Sequence, residues 1–379
     1  MSYTLSNENQ QWVKASYEKL KKKMHAQCLR VGDKIPYIPR DGRYHDLDTT
    51  EKIFWWTNGF WAGLLWQMFN ATGDACYRKA AEGVELRLDE ALTGFVGLHH
   101  DVGFIWLHTA VANYRLTKNA ESRVRGLHAA NILAGRYNPV GKFIVAWNEN
   151  REGWMIVDCM MNLPILYWAE KELGDPRFGY IAKNHADTCM KVTVRGDGSC
   201  NHISVLDPNT GECLENPGGQ GYDSGSSWSR GHTWAIYGFA LSYHHTGNPE
   251  YLETAKKIAH YFIANLAIND WLPLVDFRSP KEPVKYDSTA AMIASCGLLE
   301  IAKHVGEYEQ PLYVESALRI LRACDDAFCN WNPEFDSIVA RGMGAYHSTG
   351  IDVDAPIIYG DYFLTEAILR LLGKDFLIW

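Results

Sequence analysis

The residues in this chain best suited to chemistry stand in six short stretches, each at or just before a segment of helical periodicity. They are Trp55-Trp56-Thr57, His99-His100-Asp101, Trp154-Met155-Ile156-Val157-Asp158, Ser226-Ser227-Trp228-Ser229-Arg230, Tyr286-Asp287 and Asp352-Val353-Asp354. An aspartate at a helix start is ordinarily an N-cap, and Asp287 and Asp354 are read that way. Asp158 differs because Met155-Ile156-Val157 precedes it and Cys159-Met160-Met161 follows. Such an apolar setting favours a carboxyl that keeps its proton near neutral pH, as a general acid must, although a helix N-terminus would pull the other way. Asp101 offers a second carboxyl, and Gly103 beside it permits close packing or close approach of a substrate. Paired carboxyls are the equipment of glycoside hydrolysis, where one protonates and the other activates water or stabilises charge. Arg230 has the geometry to grip a carboxylate with two N–H donors, and an equally good reading makes it structural. The run 215–226 is too glycine-rich for a helix and lacks the Lys-Ser/Thr of a phosphate loop, so it reads as a binding loop.

The elements that must position these groups are helices. Apolar residues recur at three- and four-residue spacing over twelve segments, about 9–28, 58–72, 76–91, 102–117, 120–136, 158–173, 177–192, 231–246, 251–266, 288–305, 312–328 and 356–372. Their connectors alternate between long loops and a short stereotyped hinge, seen in Thr72-Gly73-Asp74-Ala75, Leu173-Gly174-Asp175-Pro176 and Thr246-Gly247-Asn248-Pro249. A helix-stopping glycine, a capping Asp or Asn and a first-turn proline mark a repeated helical hairpin. Six hairpins that cannot bury their apolar faces alone must stack, and the expected fold is an all-α (α/α)6 barrel formed by one catalytic domain over 1–379. An open solenoid is disfavoured because the last segment is apolar all round and has no polar capping face. In a ring the long loops gather on one rim, which brings the six stretches to one cavity.

Composition narrows the partners. The net charge of −8 gives no long-range attraction to nucleic acid or anionic lipid, so an anionic ligand would need local cations. Fourteen Trp and 20 Tyr in 379 residues exceed what a core needs, and some are expected to line a cleft where sugar rings can stack. The nine cysteines form no Cys-x-x-Cys pair and show no zinc-type spacing with histidine. They read as reduced core thiols, with no metal and no cofactor expected. The polar N-terminal stretch carries no signal-like apolar run, no segment approaches a membrane span, and the expected address is the cytoplasm. No feature fixes assembly beyond an expected monomer or weak homodimer.

The stretch Ser226-Ser227-Trp228-Ser229-Arg230-Gly231-His232-Thr233-Trp234-Ala235, together with His99-His100-Asp101-Val102-Gly103-Phe104, resembles the unsaturated glucuronyl hydrolases of glycoside hydrolase family 88. The resemblance covers essentially the whole chain. It implies an (α/α)6 barrel and, as substrate, a lyase-generated oligosaccharide ending in a uronic acid with a C4=C5 double bond. It implies that an aspartic acid protonates C4 of the vinyl ether, that water adds at C5, and that the hemiketal then opens and expels the remaining sugar. On that resemblance Asp158 is the acid and later the base, and Asp101 holds ring hydroxyls and stabilises positive charge. Trp55, Trp147, His202, Gln220, Arg230, Trp234 and Tyr346 are then expected around the sugar. Members that accept sulfated fragments use serines and a lysine in the C-terminal loop. Here that loop has Ser348 and Thr349 but no lysine, leaving Arg341 as the nearest substitute cation. The alternatives left open are an unsaturated rhamnogalacturonyl hydrolase, a sugar epimerase using His99, His202 or His232, and a glycan-binding protein without activity.

Overall fold

In the computed structural model, which describes residues 3–47 and 52–379, the hinge residues act as their types dictate. Gly73, Gly174 and Gly247 end their helices in the left-handed region, with φ of 75°, 65° and 71°. Asp74, Asp175 and Asn248 then cap the following helices by accepting from the N–H groups of Cys76, Arg177 and Glu250. Pro176 and Pro249 occupy the first turn, where a missing N–H costs nothing. A further hinge escapes the glycine pattern, since Lys118 takes φ 64° and Asn119 caps the next helix.

The helices are α1 (Asn7–Val31), α2 (Phe60–Thr72), α3 (Ala75–Arg87), α4 (Asp89–Gly94), α5 (Val102–Trp106), α6 (Ala112–Thr117), α7 (Ala120–Ala134), α8 (Pro164–Leu173), α9 (Pro176–Val192), α10 (Ser229–Thr246), α11 (Pro249–Ala267), α12 (Ser288–Ala302), α13 (Gln310–Phe328) and α14 (Ile358–Leu371). Helices α5 and α6 are one rod joined by a π-helical turn, Leu107–Val111. The inner ring runs α2, α5–α6, α8, α10, α12, α14, and α14 packs on both α12 and α2, so the ring closes. Helices α3, α7, α9, α11 and α13 lie outside their partners, and α1 supplies the sixth outer helix by packing on α14 and α3. Every residue of α12 and α14 is buried, as the apolar character of the last segment requires of an inner helix. This is the expected (α/α)6 barrel.

Three expectations need correction. The segment 158–173 is not one helix: Val157–Met161 is a 3-10 turn and α8 starts at Pro164, which cannot donate to a preceding turn. Short strands, invisible to helical periodicity, also form: β1 (Tyr137–Asn138), β2 (Phe143–Ile144), β3 (Trp154–Ile156), β4 (Ile203–Leu206) and β5 (Cys213–Glu215). Asp354 is not a cap, because α14 begins at Ile358 and Asp354 instead takes φ 56° and pairs with Arg341 at 2.6 Å. Asp287 does cap α12, accepting from Thr289 N–H at 3.2 Å.

The end of the barrel away from the chemical rim holds a buried ionic network. Arg370 lies 2.6 Å from Glu300 and 3.0 Å from Glu366, all three without solvent exposure. Tyr362 and Trp379 also donate to Glu366, and the Trp379 ring stacks on Phe363. Removing one partner from such a set leaves an uncompensated charge in low dielectric. Arg370→Met is therefore expected to cost about 3–5 kcal/mol, read as a lowered urea midpoint; a midpoint within about 0.5 kcal/mol of wild type would show the network to be dispensable.

Candidate active site

The position of Asp158 follows from one strand pairing. β3 and β4 are antiparallel with Ile156 opposite Ile203, and the Val157 N–H donates to the His202 carbonyl at 3.0 Å. The chain leaving β3 turns directly into the 3-10 segment that carries Asp158, while the residue entering β4 is His202. Their side chains face each other, with His202 Nε2 3.6 Å from Asp158 Oδ1, just beyond hydrogen-bond length. The Gln220 N–H donates to His202 Nδ1 at 2.9 Å. A neutral imidazole that accepts at Nδ1 carries its proton on Nε2, so the donor faces the carboxylate. Gly219 makes this possible: its φ is +59°, and a Cβ there would lie 2.1 Å from His202 Nδ1.

Asp101 enters from the start of α5. Asn162 ties the two carboxyl-bearing segments together, its Nδ2 lying 3.4 Å from both Asp101 Oδ1 and the Asp158 carbonyl, while its Oδ1 accepts from Phe104 N–H at 2.7 Å. A Cβ on Gly103 would lie 2.6 Å from Asn162 Cα, so the glycine serves close packing. His99 Nδ1 and His100 Nδ1 each stand 3.5 Å from an Asp101 oxygen. Asp158 Oδ1 is buried without a hydrogen-bond partner.

These groups open on a cavity of about 260 Å³. Of the expected residues, Asp101, Asp158, Trp55, Trp147, Gln220 and Arg230 line it. Arg136 holds Trp147 in place by donating to its carbonyl at 2.8 Å. Gln220 links two rims, since its Nε2 donates to the Gly344 carbonyl at 2.7 Å and its carbonyl accepts from Tyr346 N–H at 2.8 Å. His202, Trp234 and Tyr346 are not on the wall. His202 stands behind Asp158, while Trp234 is fully buried against Trp56 and Phe104. Tyr346 packs behind Ala345 against Tyr222, with Lys285 over its ring.

Arg230 has the structural engagement of one of its readings and also reaches the cavity wall. Only 1% exposed, it pairs with Asp287, donates to the carbonyls of Met343 and Gly344, and lies over the Trp228 ring. Those three acceptors take three of its five N–H donors, and it still borders the cavity. Sequence reasoning gave no role to Tyr37 and Tyr359, which also line the wall, or to Asn162. Tyr359 sits in the apolar first turn of an inner helix and Asn162 between apolar residues, so both looked like core. Tyr37, between two prolines, carried no periodic signal.

The electrostatics centre on Asp101. Burial, and then the neighbouring charge of Asp158, push its carboxyl well above the ordinary aspartate range. Asp101 is the carboxyl walled in by His100, Asn162 and the start of α5. Burial also holds both neighbouring imidazoles neutral, His99 down to about 4 and His100 well below its usual value. The charge of Arg136 pushes them the same way, and with Arg230 it supplies the local cations that the overall charge lacks.

A closed double ring of helices with an aromatic-walled cavity and an interacting carboxyl pair has the parts that hydrolysis of a sugar needs. Residues 30–296 match the model of Glycosyl Hydrolase Family 88. The chain is 37% identical over 353 residues to the unsaturated glucuronyl hydrolase of Bacillus sp. strain GL1, covering 90% of this chain and 92% of that relative. It is 33% identical over 351 residues to the unsaturated chondroitin disaccharide hydrolase of Streptococcus pyogenes serotype M1, covering 87% and 84%. The crystal structure of the unsaturated glucuronyl hydrolase of Streptococcus agalactiae superposes with a TM-score of 0.90 at 29% identity, covering all of this chain and 95% of that one. The chain belongs to glycoside hydrolase family 88 and is a glycoside hydrolase.

The raised carboxyl has a measurable consequence. Asp101 titrates near 3.9 in the unfolded chain and higher in the folded one, so the folded state holds the proton more tightly. Its contribution to stability therefore falls as pH rises from about 4 through the native value. Asp101→Asn removes that loss, and its melting temperature should exceed the wild-type value by about 2–4 °C near pH 8, the gap closing toward pH 4. A gap that is constant or shrinks with rising pH in a thermal-shift series would contradict the assignment.

Proposed function

We propose that this hydrolase removes a non-reducing-end 4,5-unsaturated glucuronic acid from lyase-generated glycosaminoglycan oligosaccharides of chondroitin, hyaluronan or heparin type, by hydrating the C4=C5 vinyl ether. The observation that carries the reading is the carboxyl pair, in which Asp101 is raised by burial and by Asp158, and Asp158 Oδ1 is buried without a partner at the cavity wall. The names borne by the relatives in Bacillus and Streptococcus support the substrate class.

The pair acts as one unit holding one proton. At rest, burial and the Asp158 charge keep that proton on Asp101. Ring hydroxyls that donate to Asp101 stabilise its ionised form, and the proton passes to Asp158, which delivers it to C4. Positive charge then develops at C5 and the ring oxygen, where the Asp101 carboxylate stabilises it. Asp158, now ionised, takes a proton from water as the hydroxyl adds to C5. The resulting hemiketal opens to a C5 ketone, and the hemiacetal at C1 releases the leaving sugar. Trp55 and Trp147 supply ring faces, while Arg230 and Gln220 border the substrate carboxylate. His202 turns its Nε2–H toward Asp158 from 3.6 Å away, and Trp234 and Tyr346 support the wall from behind.

Arg341 is held by Asp354 and lies over the Tyr286 ring, so it is engaged within the rim and does not replace the missing lysine. This favours unsulfated disaccharides as the first substrates. All nine cysteines are free thiols, which supports a reducing compartment such as the cytoplasm; among the described residues no helix is long and apolar enough to cross a membrane.

Incubation with an unsaturated chondroitin or hyaluronan disaccharide should abolish the absorbance of the conjugated double bond. Asp158→Asn should do so about 10²–10⁴-fold more slowly. Turnover only of pectin-derived substrates would favour the rhamnogalacturonyl reading. An Asp158→Asn enzyme of wild-type rate would remove the acid from Asp158 and favour histidine chemistry of the epimerase kind.

A further inference from the structure

We propose that His25, Cys28, Asp74 and Cys76 form a zinc-binding site that clamps the ring-closing helix α1 to the turn between α2 and α3. The cluster lies on the outer surface of the barrel and takes no part in the chemistry of the cavity. His25 and Cys28 stand three residues apart on α1, hence on one helix face, and Asp74 and Cys76 belong to the hinge that starts α3. Packing alone brings the two pairs together, across 46 residues of chain from Cys28 to Asp74, which is why no zinc-type spacing appears in the sequence.

The donors already stand close together. His25 Nδ1 lies 3.2 Å from Asp74 Oδ2. The Cys76 N–H donates to Asp74 Oδ1 at 3.0 Å, and the Cys28 and Cys76 thiols are close enough to act on one another. One ligand atom from each of His25, Asp74 and Cys76 falls within 4.8 Å of the others, and Cys28 adjoins this group through Cys76. Two thiolates, an imidazole and a carboxylate are a donor set suited to tetrahedral Zn²⁺, with metal–ligand bonds of about 2.0–2.3 Å. His25 is exposed and Cys76 half-buried, which leaves an entry path, whereas the buried Cys28 and the cap role of Asp74 give a fixed base.

Charge separates this cluster from two others. The charge that acts on Asp74 is that of His25, and Cys76 acts on it through hydrogen bonds. The set His244, Glu300 and His304 has similar donor spacing, but Arg370 and Lys303 already neutralise its carboxylate. The set His99, His100 and Asp101 belongs to the catalytic cavity. Binding at the hinge would exchange protons for metal: Cys28 and Cys76 each lose one, while His25 shifts its proton to Nε2, so two protons leave per Zn²⁺. Affinity should therefore weaken as pH falls.

The test uses the whole protein, kept reduced with a phosphine and freed of metal. Titration with Cd²⁺ should give a thiolate-to-metal charge-transfer band that saturates at one equivalent, and Zn²⁺ should raise the melting temperature by several degrees. Cys76→Ser should abolish both, and His25→Ala should weaken Cd²⁺ binding about tenfold or more, with disaccharide hydrolysis unchanged in each. Absence of a band at saturating Cd²⁺ would overturn the proposal. So would a band that survives in both Cys28→Ser and Cys76→Ser, since that would place the metal on other thiols such as Cys213 or Cys329.

Discussion

Two carboxyl groups facing one small cavity cannot both stay ionised without cost, and that repulsion sets terms for everything around them. In this enzyme the burden falls on Asp101, which burial and the charge of Asp158 drive toward its protonated form. Keeping the pair together requires a scaffold that tolerates the strain, and a closed ring of twelve helices provides it. The rim is irregular, but each rim segment is anchored to a buried inner helix, and the far end of the barrel is locked by the Arg370 network.

The local devices that hold the pair are small. Strand pairing between β3 and β4 places Asp158 opposite His202, and Gly219 lets the glycine-rich loop reach His202 closely enough to choose its tautomer. Asn162 bridges Asp101 and the backbone at Asp158, and Gly103 makes room for it. Arg230 is held rigidly at the cavity wall: Asp287 and two carbonyls fix its plane while it borders the cavity. A site assembled this way is costly in stability and gains preorganisation, the usual exchange where charge must develop in a transition state.

Much of this was legible in the sequence, for reasons that differ by feature. The Gly-Asp/Asn-Pro hinges announced helical hairpins because left-handed glycine, capping side chain and first-turn proline each have one physical use there. Periodicity then supplied the ring. The strands were illegible because segments of two to four residues have no measurable period, and with them went the start of α8 at Pro164. The carboxyl pair was visible as a pair, but the raised proton affinity of Asp101 was not, since it comes from burial in space and not from its neighbours in sequence. Tyr359 and Asn162 were hidden by looking like core residues. Trp234 stood out in a characteristic motif yet sits beneath the cavity, which shows that a motif residue can serve the site through packing alone.

The central claim is that the pair protonates carbon, not the glycosidic oxygen. Turnover of an unsaturated disaccharide in deuterated water, followed by proton NMR of the released uronate, tests this directly. The account predicts one solvent deuteron at C4, incorporated as the double bond is lost and before or together with release of the second sugar. Release of that sugar with C4 undeuterated and the double bond still intact at that moment would contradict it.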